Sequence, residues 1–360
     1  MPELPEVETV ARDLRPRIVG STIAGARVSW PRTWAGDPAS GPAALVGRRI
    51  ESVGRRGKLV VIGLSDDAAL TIHLKMTGQL FVVDRAAAMD PYVRFVIELA
   101  DGRDLRFRDI RKFGRVAFHL REPRSGELVR ADVGTASFAG LGPEPLEPSF
   151  TIRQFRTRLR ARRGRLKPLL LDQSFVAGIG NIYADEALWT ARLHPLRRTT
   201  SLRPADERRL YRAIREILAE AVERRGSSID DYTAPDGDGS MQERLLVYQR
   251  TGEDCLRCGR PLRRVVIGGR ATHFCSWCQR LPAVDRPGTA AILRPASHRT
   301  SRAGGGWTTL SGPTTGEVIG LTGAEAEQAR RAARARAERT RRAAATRRAA
   351  ARSAVGGSTD

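Results

Sequence analysis

Through much of the first third of the chain, apolar residues alternate with polar ones in short runs such as KLVVIGL, AALTIHL, YVRFVIEL and RVAFHL, separated by Gly and Asp turns. Alternation of this kind gives each strand one face to bury, so the runs are expected to form an antiparallel β-sandwich. Ahead of them, VETVARDLRPRIVG has helical spacing, with Val7, Val10 and Leu14 on one face. GLGPEPLEPS reads as a linker, and beyond it the period changes. SFTIRQFRTRLRAR, NIYADEALWTARL and PADERRLYRAIREILAEAVERR read as helices, the last with Pro204 near its start and Gly226 past its end. SSIDDYTAPDGDGSM is a polar loop, and RPLRRVVIGGRATHF is a hairpin set between two cysteine pairs. After residue 283 the chain turns Gly/Ser/Thr-rich and then Ala/Arg-rich, with little that builds a core. The pattern predicts an α+β multidomain protein. Residues 2–135 form the sandwich with its N-terminal helix, 136–149 the linker, 150–240 a helical domain, 241–282 a cysteine module, and 283–360 a disordered tail.

Charge narrows the partner. Lys and Arg number 62 against 40 Asp and Glu, a net charge of +22 over 360 residues. Residues 289–360 hold 13 arginines and 5 acids, so most of the excess lies in the body of the chain, as expected of a protein that works against polyphosphate. Only four of the basic residues are lysines, Lys58, Lys75, Lys112 and Lys167, and two readings stand for them: places where a compact ammonium is wanted rather than a planar fork, or chance. No basic segment followed by an apolar run opens the chain, and no apolar stretch reaches membrane-spanning length, so a cytoplasmic location without a membrane partner is expected. All four cysteines fall between 255 and 278, which in a reducing compartment argues for metal over disulfides.

Cys255-x-x-Cys258 and Cys275-x-x-Cys278, sixteen residues apart, have the spacing of two facing zinc knuckles. Four thiolates leave no open coordination position, so one structural Zn2+ is expected, holding a hairpin whose Arg263, Arg264 and Arg270 reach toward DNA. FVAGIGNIYADEAL places two glycines and Asn181 ahead of a helix, where backbone N–H groups can hold a phosphate. RDIRKFG puts Arg111 and Phe113 in one loop, and HLKMTGQL carries Met76 after a strand. An apolar wedge beside an Arg is what fills the gap left by an extruded nucleotide. His73 reads as structural. The opening, MPELPEVETVAR, sets Glu3 and Glu6 beside Pro2. With Met1 removed, Pro2 is a secondary amine with a pKa of about 7.7–8.0, partly neutral near pH 7 and able to attack a sugar C1′, with the carboxylates managing protons. Taken singly, each of these has a blander reading as a cap, a turn, core filler or a solvated charge.

Together PELPEVET, Gly57-Lys58, HLKMTG, DIRKFG, LLLDQSFVAGIGNIYADEAL and the four-cysteine ribbon resemble the bacterial formamidopyrimidine-DNA glycosylases, from residue 2 to about 282. PELPE favours that branch over the related endonuclease VIII group. The resemblance implies a helix-two-turn-helix fold for the helical domain. It implies a bifunctional, monomeric repair enzyme that excises oxidised purines from double-stranded damaged DNA and cuts the strand by β,δ-elimination. By the same resemblance Pro2 is the Schiff-base nucleophile, Glu3 the proton-transferring group, Glu6 a supporting carboxylate and Lys58 the active-site lysine beside the lesion phosphate. Met76, Arg111 and Phe113 fill the void and face the orphan base, and Lys167, Asn181 and Arg270 bind phosphate. Tyr92 and Arg94 stand where the family commonly has a histidine-containing stretch, with Arg94 still suited to phosphate. The lesion-reading loop SSIDDYTAPDGDGSMQE has Met241 before its Gln in place of the usual aromatic, and the Arg/Ala tail has no counterpart. Two other readings stand beside this one: an endonuclease VIII-like enzyme for oxidised pyrimidines, and a non-catalytic paralogue that only binds damaged DNA.

Overall fold

Two antiparallel sheets share the apolar residues of the first third of the chain. The computed structural model describes residues 1–123, 125–132, 138–228 and 239–293. One sheet has the order β1 (Ile23–Val28), β6 (Val93–Leu99), β7 (Arg103–Asp109), β5 (Gly78–Asp84). The other runs β2 (Ile50–Arg56), β3 (Leu59–Leu64), β4 (Ala68–His73), β8 (Arg115–Arg121), β9 (Leu128–Arg130). Phe95, Ile97, Leu105 and Phe107 from the first meet Val60, Ile62, Leu70, Ile72 and Val116 from the second in one buried core. Each such side chain contributes about 1.5–3 kcal/mol when withdrawn from water, which sets the register of the alternating strands.

The second core is helical. It gathers α2 (Ile152–Arg160), α3 (Leu166–Leu171), α4 (Asn181–Thr190) and α5 (Pro204–Glu223) around Phe150, Phe155, Phe175, Tyr183, Leu188 and Leu210. Thr151 caps α2 by accepting from the Gln154 N–H at 3.2 Å. Gly226, at φ 73°, ends α5 by donating to the Ala221 carbonyl at 2.7 Å. Helix α1 (Leu4–Ile18) belongs to both cores: Leu4 sits in the helical one, and Val7, Val10 and Leu14 in the sandwich. The N-terminus is thereby fixed where the two cores meet.

The cysteine ribbon carries β10 (Arg263–Ile267) paired with β11 (Arg270–Phe274). The start expected for the tail is corrected here. Residues 283–293 are packed, with a turn at Ala283–Asp285 and a short helix α6 (Ala290–Leu293) whose Ile292 and Leu293 lie against Val265, Ile267 and Phe274. Asp285 is buried and accepts from the Ser201 hydroxyl at 2.5 Å. Composition missed this because the apolar anchors are few and lie among polar residues. Residues 294–360, and residues 229–238 of the expected lesion-reading loop, lie outside the described residues.

Candidate active site and nucleic-acid interface

The acidic start of the chain is inserted into the helical domain. Glu3 precedes α1, and its backbone N–H donates to Glu6 Oε2 at 2.8 Å, which leaves the Glu3 side chain free to point elsewhere. It points at the N-terminus of α4. Its carboxylate accepts from the N–H groups of Gly180 at 2.6 Å, Ile182 at 2.8 Å and Tyr183 at 3.4 Å, the orphan donors of a helix start. A Cβ at residue 180 would overlap the Glu3 carboxyl carbon, so glycine there is what admits the side chain. Glu6 has a similar seat: its Oε1 accepts from the Tyr183 hydroxyl at 2.6 Å and the Ser227 N–H at 2.8 Å. A Cβ on Gly226 would come within 2.7 Å of that oxygen. The glycines and backbone of FVAGIGN, expected to cradle phosphate, therefore hold the chain's own Glu3. That expectation is corrected for the backbone donors of Gly180, Ile182 and Tyr183. Pro2 is buried immediately beside these carboxylates, with Met1 exposed outside it.

Lys58 faces this pair from the sandwich. It follows Gly57 in the tight turn between β2 and β3, where Gly57 takes φ 59°. Glu144, from the linker, grips the turn: it pairs with Arg55 at 2.7 Å and Arg56 at 2.8 Å and accepts from the Gly57 N–H at 2.5 Å. Lys58 itself is buried, yet no hydrogen bond or ion pair engages its ammonium among the described residues. Burial pulls its pKa below the ordinary lysine value; Glu3 and Glu6 pull it back up, while Arg270 and Lys75 push it down. Burial likewise lifts the Glu3 carboxyl above its usual range, opposed first by Lys58 and then by the Ile182 and Gly180 N–H groups, with Glu6 reinforcing the rise. The outcome is a carboxyl that holds a proton more readily than in water, facing an ammonium that releases one more readily.

Met76, Arg111 and Phe113 lie on two loops joined by a buried tie. The Thr77 hydroxyl donates to Asp109 Oδ1 at 2.5 Å, and Asp109 also accepts from the N–H groups of Arg111 at 3.2 Å and Gly114 at 2.7 Å. Lys75 and Lys112, at the two loop tips, both take positive φ, at 56° and 60°. Phe113 is exposed, with the Arg111 guanidinium 5.1 Å over its ring. Arg94 is braced by the carbonyls of Asp109 at 2.9 Å and Pro91 at 3.0 Å. His73 is structural in character: burial first, then Lys75 and Lys58, lowers its pKa to about 3, and its Nδ1 accepts from the Lys75 N–H at 3.0 Å.

Lys167 does not reach a phosphate, and the expectation for it is corrected. Its side chain is fully buried, bound to Asp185 at 2.5 Å and to the Asn181 carbonyl at 3.0 Å. The other Asp185 oxygen accepts from the His273 N–H at 2.9 Å, and Asn181 Nδ2 donates to the Ala271 carbonyl at 2.9 Å. These bonds clamp β11 onto α4. Glu186 clamps the approach to the ribbon, accepting from the N–H groups of Leu246, Val247 and Tyr248 at 2.8–2.9 Å. Burial lifts its carboxyl to about 7 against those three donors. Arg270 opens β11, exposed and close enough to act on Lys58. Arg264 is also exposed, but Arg263 turns away and donates to the Leu293 carbonyl at 3.0 Å.

The four cysteine sulfurs lie within 4.8 Å of one another, with Cys258–Cys275 at 3.5 Å and Cys255–Cys278 at 3.9 Å. Tetrahedral Zn–S bonds of about 2.3 Å require sulfurs about 3.8 Å apart, so the set fits one structural zinc with no open position. Sequence reasoning missed Tyr183, Ser227, Glu144, Asp109, Asp185 and Glu186. It singled out the GIGN glycines, Gly180 among them, but assigned them to the wrong anion.

Residues 1–116 match the formamidopyrimidine-DNA glycosylase N-terminal domain, 141–233 the H2TH domain of the same enzymes, and 252–281 the zinc finger found in FPG and IleRS. The formamidopyrimidine-DNA glycosylase of Chloroflexus aurantiacus is 46% identical over 281 residues, covering 78% of this chain and 98% of the relative. That of Symbiobacterium thermophilum is 43% identical over 306 residues, covering 84% and 95%. Among solved structures, the wild-type Lactococcus lactis Fpg bound to a DNA containing N7-benzyl-Fapy-dG aligns with a TM-score of 0.69 at 36% identity, over 78% of this chain and all of that one. The MutM (Fpg) protein of Thermus thermophilus aligns with a TM-score of 0.67 at 42% identity, over 78% and 100%. The chain belongs to the formamidopyrimidine-DNA glycosylase family.

Proposed function

We propose that the chain is a base-excision repair enzyme that removes oxidised purines, 8-oxoguanine and formamidopyrimidines, from duplex DNA and then cleaves the strand. The observation that carries this reading is Glu3, buried on the N-terminus of α4 one residue from Pro2 and opposed by Lys58. Once Met1 is removed, the neutral Pro2 nitrogen attacks C1′ of the extruded nucleotide. The N-glycosidic bond breaks, the base leaves with a proton, and the amine loses its own proton as the sugar ring opens to an iminium. Glu3 moves protons at the sugar, and Glu6 fixes the Glu3 backbone. Loss of a C2′ proton expels the 3′ phosphate, and a second elimination expels the 5′ phosphate. Lys58, Arg270, Asn181 and Arg94 hold backbone phosphates, while Met76, Arg111 and Phe113 fill the vacated stack. The zinc keeps the hairpin folded and takes no part in the chemistry.

The domain boundaries 2–135, 136–149, 150–240 and 241–282, a monomeric state and a cytoplasmic location complete the proposal. Within the described residues, no helix is long and apolar enough to cross a membrane. The Arg/Ala tail adds salt-sensitive, sequence-independent DNA affinity. A panel of duplexes tests the substrate class: 8-oxoguanine opposite cytosine should be excised and incised faster than thymine glycol. The reverse order makes the chain an endonuclease VIII-type enzyme, and tight binding without incision makes it a damage-binding paralogue.

A further inference from the structure

The zinc ribbon carries a second cationic surface apart from the cleft. Arg260 and Arg280 stack on the exposed indole of Trp277, at 3.7 and 4.0 Å from its ring centroid. On the facing knuckle, Arg257 lies 3.9 Å over Trp189 and donates to the Trp189 carbonyl at 3.0 Å. Arg192, just past α4, joins Arg257, Trp277 and Arg280 around one hollow beside Cys258 and Cys278. Among the described residues, Arg192, Arg257, Arg260 and Arg280 have no carboxylate partner. Elsewhere in this chain, arginines that hold fixed positions commonly do, as at Arg55, Arg106, Arg160 and Arg197. Trp277 and Leu256, on the two knuckles, stay 47% and 65% exposed.

We propose that this is a docking surface for an acidic segment of a protein partner that carries one apolar side chain. Unpaired guanidiniums, several of them held in place by ring stacking, recognise carboxylates with little further loss of freedom. Arg and Trp are the residue types that concentrate binding energy in protein interfaces, and exposed Leu256, next to Arg257 in the chain, adds apolar surface on the same knuckle. Acidic motifs are characteristically read by arginine clusters. Nucleic acid suits the surface less well. Trp277 already carries two stacked guanidiniums, which a base would have to displace to stack there. The surface also lies at the far end of the ten-residue α4 from Glu3, about 15 Å along the helix.

The test uses the full-length, zinc-loaded protein and fluorescence anisotropy of a short labelled Asp/Glu peptide containing a single Phe. Comparison probes are the same peptide with Ala for Phe and an undamaged duplex. Saturable peptide binding is expected, weakened about tenfold in the Arg260→Ser/Arg280→Ser variant and again when Phe is removed. Zinc content, duplex affinity and incision rate should stay as in the parent. Arg192→Asn, outside the ribbon and at a φ of 58° that asparagine tolerates, should weaken the peptide in the same direction. Absence of saturable binding, or binding indifferent to all three arginines, overturns the proposal. So does a variant that weakens the duplex as much as the peptide, since the surface would then serve nucleic acid.

Discussion

Lys58 and Lys167 are both buried, and both sit close to the first turn of α4, but they are held in opposite ways. Lys167 is committed inside the protein, to Asp185 and the Asn181 carbonyl. Lys58 has Glu3 and Glu6 near enough to feel but no partner in hydrogen-bond contact, and burial depresses its pKa. A paired buried ammonium has its charge committed to structure. An unpaired one has its desolvation uncompensated until a ligand arrives, which is a cost the fold sustains only where the charge is used. The two regions therefore divide around α4: one fastens the hairpin, and the other, on the proposed function, is kept for the substrate.

Exchanging these lysines for methionine should separate the roles. Lys167→Met strands Asp185 in the interior and should lower unfolding free energy by about 3–5 kcal/mol in urea titrations. Lys58→Met should change stability by only about 1 kcal/mol, yet slow incision of an 8-oxoguanine duplex by roughly 100-fold or more. Equal destabilisation by both would erase the distinction.

A change on the other side of the same turn sharpens it further. Gly180→Ala drives a methyl group into the Glu3 carboxyl and should cost about 1–3 kcal/mol of stability, with a loss of incision well beyond that of Ala at a distant helix start. Unchanged incision would mean that the Glu3 seat is not needed. On the loops, Thr77→Val removes one buried bond to Asp109. It should cost about 1 kcal/mol and weaken binding opposite the lesion without altering the rate of covalent adduct formation, measured by single-turnover trapping.

The smallest effect is on the shape of a pH profile. A carboxyl whose folded pKa is raised, as at Glu3, contributes stability that is complete below its ordinary value of 4.5 and is lost as pH rises through the folded value. Glu3→Gln should abolish that portion of the decline in denaturation midpoint that sets in above the ordinary value of 4.5. An unchanged slope would place the titration elsewhere, with Glu186, raised to about 7, as the next residue to substitute.

What the sequence disclosed and what it hid follow from range of interaction. The strands announce themselves through alternation, and α5 through Pro204 and Gly226, because these are local signals. The zinc site is legible for the same reason, since both ligand pairs are three residues apart. The Gly180 N–H donating to Glu3 spans 177 positions, and the His273 N–H donating to Asp185 spans 88, so no local pattern announces either bond. The glycines of GIGN signalled a close approach to an anion; only the fold reveals that the anion is a carboxylate of the same chain. Lys167 misled because a lysine destined for a buried pair and one destined for a phosphate look alike in one dimension. Ile292 and Leu293 were too sparse to reveal that the chain stays packed beyond residue 283.

The central claim is that the amine beside Glu3, rather than the lysine opposite it, bonds to the sugar. Borohydride reduction of the Met1-processed protein on an 8-oxoguanine:cytosine duplex, followed by digestion and mass mapping of the cross-link, tests it directly. The expected result is a single adduct on the Pro2 nitrogen, with Lys58 unmodified. An adduct mapped to the Lys58 side chain, or one formed equally well with Met1 retained, would contradict it.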